Sequence, residues 1–563
     1  MSARLANRRI RLVIGLFALA FLVALARAGW LQAIRAPELG RLAEGQHRET
    51  IALPAPRGTI YDRLGVELAI GEQATTVFAN PRQIQDLQAA ARAAGRALGV
   101  DPDRLYALLA DRSKGFVYVA RKADPAKAAA LEQQSIEGFG FYPEERRTYP
   151  QHSVGAEVLG FAGLDNRGLD GLESSLDPVL AGRDGDKTIV RDPFGRTLEV
   201  VDSNPAAQGR TVYLTLDHVI QAQVERILRA TREKWGAKSA TAVVIDPKTG
   251  GILAVAVEPG FDANNSPNVS EERRRNRAVT DTYEPGSTFK LVTISAELER
   301  GDVKPGTKFR LPYTIQVADR VIHDAEPRGS QTMTVAEILS RSSNVGVLTL
   351  ALRLGKERLA RWITRFGFGQ RTGIDFPGES QGLVLPPDQW SGSTIGNVPI
   401  GHGIAVTPLQ MISAYTAIAD DGVWVQPHLV DRVEGRSPTS PKRRRILSRK
   451  TAIVVRKMLM DVVKEGTGTL AQVPGYRIAG KTGTAQKVLP QGGYSSSAYV
   501  ASFVGFVPAK NPRLVILVTV DEPHNAIWGG VVAAPAFAEI AKFALQYLEV
   551  PPDAPAELAA ARA

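Results

Sequence analysis

Two pairs of β-branched and aliphatic runs, far apart in the chain, constrain its fold more than any other feature. Residues 241–245 and 252–257 flank a turn-forming Asp246-Pro247-Lys248-Thr249-Gly250-Gly251 link, and residues 499–507 and 514–520 flank Pro508-Ala509-Lys510-Asn511-Pro512. Each pair reads as a hairpin. Residues 211–217 read as a further strand, 219–234 as an amphipathic helix and 533–548 as a closing helix. Strands at both ends of a helical middle predict one α+β domain over 211–550, with its terminal segments sharing an antiparallel sheet flanked by helices.

The 563 residues leave room for more than this domain. Residues 36–210 mix strand-like runs with alanine-rich helical stretches at 86–98 and 125–133, which predicts a separate, extended α+β domain. Within it, Arg57-Gly58-Thr59-Ile60-Tyr61-Asp62-Arg63-Leu64-Gly65 suits a strand between tight turns, with its charges paired. Residues 442–445, beside Ser437, Pro438 and Pro441, read as an exposed loop, residues 273–275 as a basic run on exposed surface, and residues 551–563 as a disordered tail.

The amino terminus determines location. Arg4, Arg8, Arg9 and Arg11 form a basic tail over 1–11, and residues 12–26 then contain only Leu, Val, Ile, Gly, Phe and Ala. Snorkelling by Arg27, an interfacial Trp30, and Leu31 with Ile34 extend this into one transmembrane anchor over 12–34. A cleaved signal peptide is the alternative, because Ala24-Leu25-Ala26 has the small-x-small cleavage pattern. Arg27, Arg35, Arg41 and Arg48 on the far side weaken the positive-inside argument for the orientation, although Glu38, Glu44 and Glu49 lie among them. Either reading exports the bulk of the chain. The net charge of +11, from 69 basic and 58 acidic residues, then points to lipid headgroups or acidic glycans and away from nucleic acid.

Cysteine is absent, so thiol nucleophiles, disulfides and Cys-based metal sites are excluded. The seven histidines are scattered without a helical H-E-x-x-H pair, so neither a metal site nor a cofactor is expected. A covalent nucleophile has to be another residue. Ser287, in Glu284-Pro285-Gly286-Ser287-Thr288-Phe289-Lys290, falls at the start of a helical run, where free N–H groups stabilise developing negative charge. Lys290 lies one turn on, and a desolvated lysine near other cations can become neutral enough to act as its base. Further along, Ser342-Ser343-Asn344 offers a hydroxyl and an amide in a turn between helices. Lys481-Thr482-Gly483-Thr484 begins an extended run in which Gly483 would let a ligand lie against a strand edge.

Ser-x-x-Lys, Ser-x-Asn and Lys-Thr-Gly in this order resemble the active-site set of penicillin-binding proteins and serine β-lactamases. The resemblance covers nearly the whole chain. The basic start and span, 57–65, Arg147-Thr148-Tyr149-Pro150 and Gly168-Leu169-Asp170-Gly171-Leu172-Glu173 resemble the pedestal of class B, monofunctional penicillin-binding proteins. Segments at 215–221, 401–410 and 529–535 resemble that class's transpeptidase domain. Residues 191–196 and the modest length look most like the septal, cell-division enzyme, with the elongation-type enzyme as the alternative. Gly401-His402-Gly403 departs from the class, where an uncharged polar or aromatic central residue is expected.

The resemblance implies that neutral Lys290 activates Ser287 for attack on the D-Ala-D-Ala carbonyl of a peptidoglycan stem peptide, releasing D-alanine. Ser342 would relay the proton, Lys481 would hold its charge state, and Asn344 would hold the donor amide. The backbone N–H groups of Ser287 and Thr484 would form the oxyanion hole, and Thr482, Gly483 and Thr484 would bind the substrate, the two threonines taking its carboxylate. The acyl group would pass to the amino group of a neighbouring stem, and β-lactams would trap Ser287. The implied location is the cytoplasmic membrane, amino terminus inside, at the division septum, with a polytopic glycan polymerase and other division proteins as partners. A tethered β-lactamase and a non-catalytic division scaffold are the competing readings; the first needs an added base for a deacylating water, and the second leaves the complete motif set without a use.

Overall fold

The computed structural model describes residues 3–35, 48–191, 197–489 and 491–555. Asp192 to Arg196 of the septal-like segment, Glu38, Arg41 and Glu44 beyond the apolar helix, and residues 556–563 of the tail lie outside them.

The chain forms two compact units, the first comprising residues 1–56 and 182–208. It begins with the helix Ala3–Trp30, which passes into one wider turn, Leu31–Arg35. From Asn7 to Arg35 the helix is long and apolar enough to cross a membrane, with a mean hydropathy of 2.3 over its 18-residue apolar window. Phe17, Leu16 and Phe21 are exposed, and the Arg27 guanidinium stacks 4.5 Å from the Trp30 ring. The same unit contains a three-stranded antiparallel sheet of Arg48–Leu53, Gly185–Arg191 and Thr197–Asn204.

The second unit comprises residues 57–181 and 209–563. Its first sheet runs Val430–Val433, Val212–Leu214, Ile60–Tyr61, Glu67–Ala79 and Val117–Ala123, with Phe139–Thr148 also paired to Glu67–Ala79. The strand expected at 211–217 is therefore shortened to three residues and belongs to this sheet. The chain turns at Asp217, whose carboxylate caps the helix His218–Lys234. Three helices, Leu87–Leu98, Pro102–Ala110 and Pro125–Glu132, begin on aspartate caps at 86, 101 and 124, with proline at the first helical position in two of them. Small side chains let them pack closely: Ala90, Ala91 and Ala94 of the first are buried with Val77 and Leu131.

The segments singled out at 57–65, 147–150 and 168–173 converge on one buried charge cluster. Glu173, fully buried, receives Arg57 Nε and Arg147 Nε, each at 2.6 Å, and Arg57 Nη1 reaches Asp177 at 2.6 Å. Removing one member of such a buried set typically costs about 3–5 kcal/mol, because the remaining charges lose their compensation without regaining water. Asp62 closes the following turn by accepting from the backbone N–H groups of Leu64 and Val66 at 2.7 and 2.8 Å. Charge pairing, with no reactive group, is what the 57–65 segment contributes.

The second sheet positions the candidate chemistry. Its order is Ile252–Glu258, Ser239–Ile245, Leu514–Asp521, Tyr494–Val507 and Ala479–Val488, antiparallel throughout. The two hairpins legible in the sequence are joined where Ser239–Ile245 pairs with Leu514–Asp521, from Asp521 opposite Ser239 to Val515 opposite Ile245. Alternate side chains feed two cores. Ala242, Val518 and Phe503 pack under the helices His218–Lys234 and Ala534–Tyr547. Val243, Leu517 and Val504 pack against a helical layer that includes the wholly buried Pro408–Ala419. This arrangement leaves Ala479–Val488 as the edge strand.

The basic runs differ in detail from expectation. Arg443–Arg445, expected as a loop, is a short exposed strand paired with Val423–Val425, and Arg444 lies over the Trp424 ring at 5.5 Å. Pairing with an aromatic-bearing strand gives the guanidinium a face to cover, which the flanking prolines at 438 and 441 did not foreshadow. Arg273 and Arg274 sit in the single helical turn Glu271–Arg274, where Arg274 pairs with Asp170 at 3.1 Å.

Candidate active site

Ser287 lies in the tight helical turn Gly286–Phe289, which leads directly into the helix Lys290–Arg300. Two glycines hold the turn in place. Gly401 has φ +82°, and a Cβ there would meet the Gly286 carbonyl oxygen at 2.1 Å; across this contact Gly286 N–H donates to the Gly401 carbonyl at 3.1 Å. On the other side, a Cβ at Gly483 would meet Ser502 Oγ at 2.3 Å and the Pro285 carbonyl at 2.9 Å. Gly483 thus admits the Ser287 turn itself against the edge strand, where the sequence had suggested room for a ligand.

Lys290 is fully buried. Its Nζ lies 2.6 Å from the Ser342 carbonyl, 3.1 Å from Ser342 Oγ and 2.7 Å from Asn344 Oδ1. Ser342 achieves this double contact by taking up φ +58°, a left-handed conformation that is costly for a residue with a side chain and is found mostly at functional sites. It follows the helix Val335–Ser340, and Ser343 then caps the helix Asn344–Leu354, accepting from Gly346 N–H at 2.9 Å. The Ser-x-Asn segment is therefore a link between two helices, as its sequence suggested. Among the described residues, no hydrogen bond joins Ser287 Oγ to Lys290 Nζ; Lys290 directs its contacts to residues 342 and 344. Such contacts commonly tighten only when substrate is bound.

Burial and the neighbouring Lys481 charge push Lys290 well below the usual lysine range, against the opposing pull of Asp324. Lys481 is fully buried as well, and desolvation pushes it down to about 7. Among the described residues its Nζ finds only neutral oxygens: Thr482 Oγ1 at 3.2 Å, the Thr482 carbonyl at 3.3 Å and Thr467 Oγ1 at 3.5 Å. Burial of both amines, with the Lys481 charge opposing that of Lys290, gives Lys290 the lone pair needed to accept a proton. Of the edge-strand threonines, Thr482 is buried with its hydroxyl 2.7 Å from that of Thr467, and Thr484 Oγ1 accepts from Gly529 N–H at 3.1 Å.

This arrangement has a measurable consequence for stability. Below about pH 7 Lys481 is charged in both folded and unfolded states, and the folded state bears the full desolvation cost. From about 7 to about 10.4, the unfolded value, the unfolded state binds the additional proton, so stability rises with pH. Lys481→Met removes that cost. Thermal or urea unfolding is expected to show the variant more stable than wild type at pH 6 by a few kcal/mol, since each tenfold weakening of proton affinity on folding is worth about 1.4 kcal/mol, with the advantage shrinking toward pH 10.

Four supporting residues carried no recognised signal in the sequence. Asp324 accepts from Ser343 Oγ at 3.0 Å and from Val345 N–H at 3.0 Å, and the His323 carbonyl accepts from Asn344 Nδ2 at 2.9 Å; together they fix the 342–344 link. Thr467 bridges to the edge strand; its Gly466-Thr467-Gly468 setting, small residues around a hydroxyl, was the available clue. Glu284 accepts from Gly403 N–H at 2.8 Å and Tyr494 OH at 3.0 Å, with His402 Nδ1 at 2.8 Å. The unexpected histidine at 402 is thus paired with a carboxylate three residues before Ser287.

Comparison with known proteins identifies the family. The penicillin binding protein transpeptidase domain model matches residues 240–542, and the penicillin-binding protein dimerisation domain model matches residues 52–214. The chain is 39% identical, over an alignment of 567 residues, to penicillin-binding protein PbpB of Mycobacterium tuberculosis, covering 94% of this chain and 83% of that protein. It is 33% identical to the peptidoglycan D,D-transpeptidase FtsI of Escherichia coli, covering 97% and 93%. Among solved structures, penicillin binding protein 3 of Mycobacterium tuberculosis in complex with aztreonam is similar at a TM-score of 0.71 and 36% identity, over 89% of this chain and 98% of that one. Matched along both domains and over nearly its full length, the chain belongs to the penicillin-binding transpeptidases, in the class B group that carries a dimerisation domain ahead of the transpeptidase domain.

Proposed function

We propose that the chain is a peptidoglycan D,D-transpeptidase of septal wall synthesis that works through an acyl-enzyme on Ser287. The observation that carries this reading is the pair of buried lysines beside the Ser287 turn, Lys290 bonded to the 342–344 link and Lys481 close enough to oppose its charge. In this reading neutral Lys290 takes the Ser287 proton as Oγ attacks the carbonyl between two D-alanines. Ser342, already 3.1 Å from Lys290 Nζ, passes a proton to the departing amine, so D-alanine leaves. Asn344 holds the donor amide, and Thr482 and Thr484 on the edge strand take its carboxylate. The N–H groups of Ser287 and Thr484 receive the developing oxyanion; losing one such donor typically costs about 2.7–4 kcal/mol of barrier. A free stem amine then takes the acyl group and forms the crosslink.

In the same reading residues 36–210 are the pedestal and 211–550 the transpeptidase domain. The apolar helix anchors the chain in the cytoplasmic membrane with its amino terminus inside and its catalytic domain outside, where a polytopic glycan polymerase supplies the strands. The experiment uses the full-length protein in detergent with uncrosslinked glycan strands bearing pentapeptide stems. Wild type is expected to release D-alanine and form dimeric muropeptides. D-alanine release without dimers would mean a hydrolase, and a functional fluorescent fusion spread along the side wall would contradict the septal assignment.

A further inference from the structure

Where the edge strand continues past Thr484, the five-stranded sheet does not close against the helical layer. A cavity of about 580 Å³ remains, within the size range of small-molecule and peptide-fragment sites. Ala485 and Gln486 of the edge strand line one wall, Tyr283 and Glu284 from just before the Ser287 turn line another, and Thr241 and Thr519, paired across the two central strands, line it as well. The cavity thus begins one residue beyond Thr484 and three before Ser287.

Its chemistry is that of a site for a molecule with charges of both signs. Glu284 is nearly buried, its side chain 8% exposed, yet among the described residues it forms an ion pair with no lysine or arginine; only His402 stands opposite it. Besides His402, its oxygens accept among these residues only from neutral donors, Gly403 N–H and Tyr494 OH, so no lysine or arginine balances its negative charge on this side of the cavity. Lys238, half-exposed, also lines the cavity, and among the described residues its charge has only a loose partner, Glu522 at 3.9 Å. Tyr283 also lines the space, and its hydroxyl is buried without a hydrogen-bond partner among the described residues.

The transfer half of the reaction requires a second peptide. In the transpeptidase reading the donor's D-Ala-D-Ala end lies along Thr482 to Thr484, so the acceptor has to reach the acyl carbonyl from beside that stretch, and it carries a free ammonium together with carboxylates. Resting on the transpeptidase reading, we propose that this cavity receives the acceptor stem peptide, its ammonium drawn to Glu284 and a carboxylate to Lys238. The ammonium releases one proton to solvent; the nitrogen lone pair forms the new C–N bond as the bond from the acyl carbon to Ser287 Oγ breaks, and Oγ takes up a second proton from the amine.

The test separates the two half-reactions in the full-length protein in detergent. Acylation is followed with fluorescent penicillin and with a D-alanyl thioester donor. Partitioning of the thioester acyl-enzyme between hydrolysis and transfer is measured with L-alanyl-γ-D-glutamyl tripeptides ending in meso-diaminopimelate or lysine. Thr519→Phe fills the cavity from a central strand, and Lys238→Glu reverses charge at an exposed position that should not affect folding. Acylation is expected to change less than about twofold, while the transfer-to-hydrolysis ratio falls about tenfold in Thr519→Phe, equivalent to about 1.4 kcal/mol, and several-fold in Lys238→Glu. If Thr519→Phe lowers the melting temperature or acylation, Lys238→Glu decides. Wild-type partitioning in the deciding variants would overturn the acceptor site alone, whereas a wild type that is never acylated would overturn the transpeptidase reading beneath it.

Discussion

Ser287→Ala is expected to abolish covalent labelling by fluorescent penicillin while the melting temperature stays within a degree or two of wild type. The size of the effect follows from chemistry. Acyl transfer through a covalent intermediate has no route without the nucleophilic oxygen, and deleting a catalytic serine typically costs on the order of 10⁴–10⁶ in rate. Retention of the fold follows from the structure. The Gly286–Phe289 turn is held by its backbone against Gly401 and the edge strand, and Ser287 Oγ makes no hydrogen bond among the described residues that the alanine would lose. Labelling of Ser287→Ala at the wild-type rate would remove Ser287 as nucleophile.

Lys290→Met is the second large effect. Methionine keeps the length and apolar stem that fit the buried site, and removes only the amine. Acylation is expected to fall by about 10²–10⁴-fold, the usual contribution of a positioned general base. The pH dependence distinguishes this from simple structural damage. In wild type, acylation is lost on the acid side as Lys290 is protonated, at a pH far below the ordinary lysine range because burial and Lys481 oppose its charge. In Lys290→Met the residual rate should no longer show that limb. A variant whose pH profile matches wild type at reduced amplitude would assign the proton to another group.

Those two residues, with Ser342, Asn344 and Lys481, were legible because each motif is short and locally rigid. A proline-glycine pair marks the entry to the helical turn that carries Ser287, and a helix cap at Ser343 leaves Ser342 and Asn344 on either side of it. The hairpins at 239–258 and 494–521 were equally legible, since β-branched residues with turn chemistry between them specify local pairing. Contacts between distant segments were not legible. Asp324 supports the 342–344 link from a strand region with no patterning of its own, and Glu173 joins Arg57 and Arg147 through contacts across the fold. The 212–214 strand was recognised as extended, but its parallel partner, Ile60–Tyr61, is set by topology and not by composition. His402 stood out as a departure; only its proximity to Glu284 and Tyr494 shows what it packs with.

The most direct measurement is the site of the covalent adduct in the unmutated chain. The full-length protein is incubated with a β-lactam, weighed intact, digested and mapped by mass spectrometry. The account predicts one adduct per chain, persisting long after excess drug is removed, on the peptide containing Ser287. An adduct on another residue, or no adduct on folded protein, would contradict it.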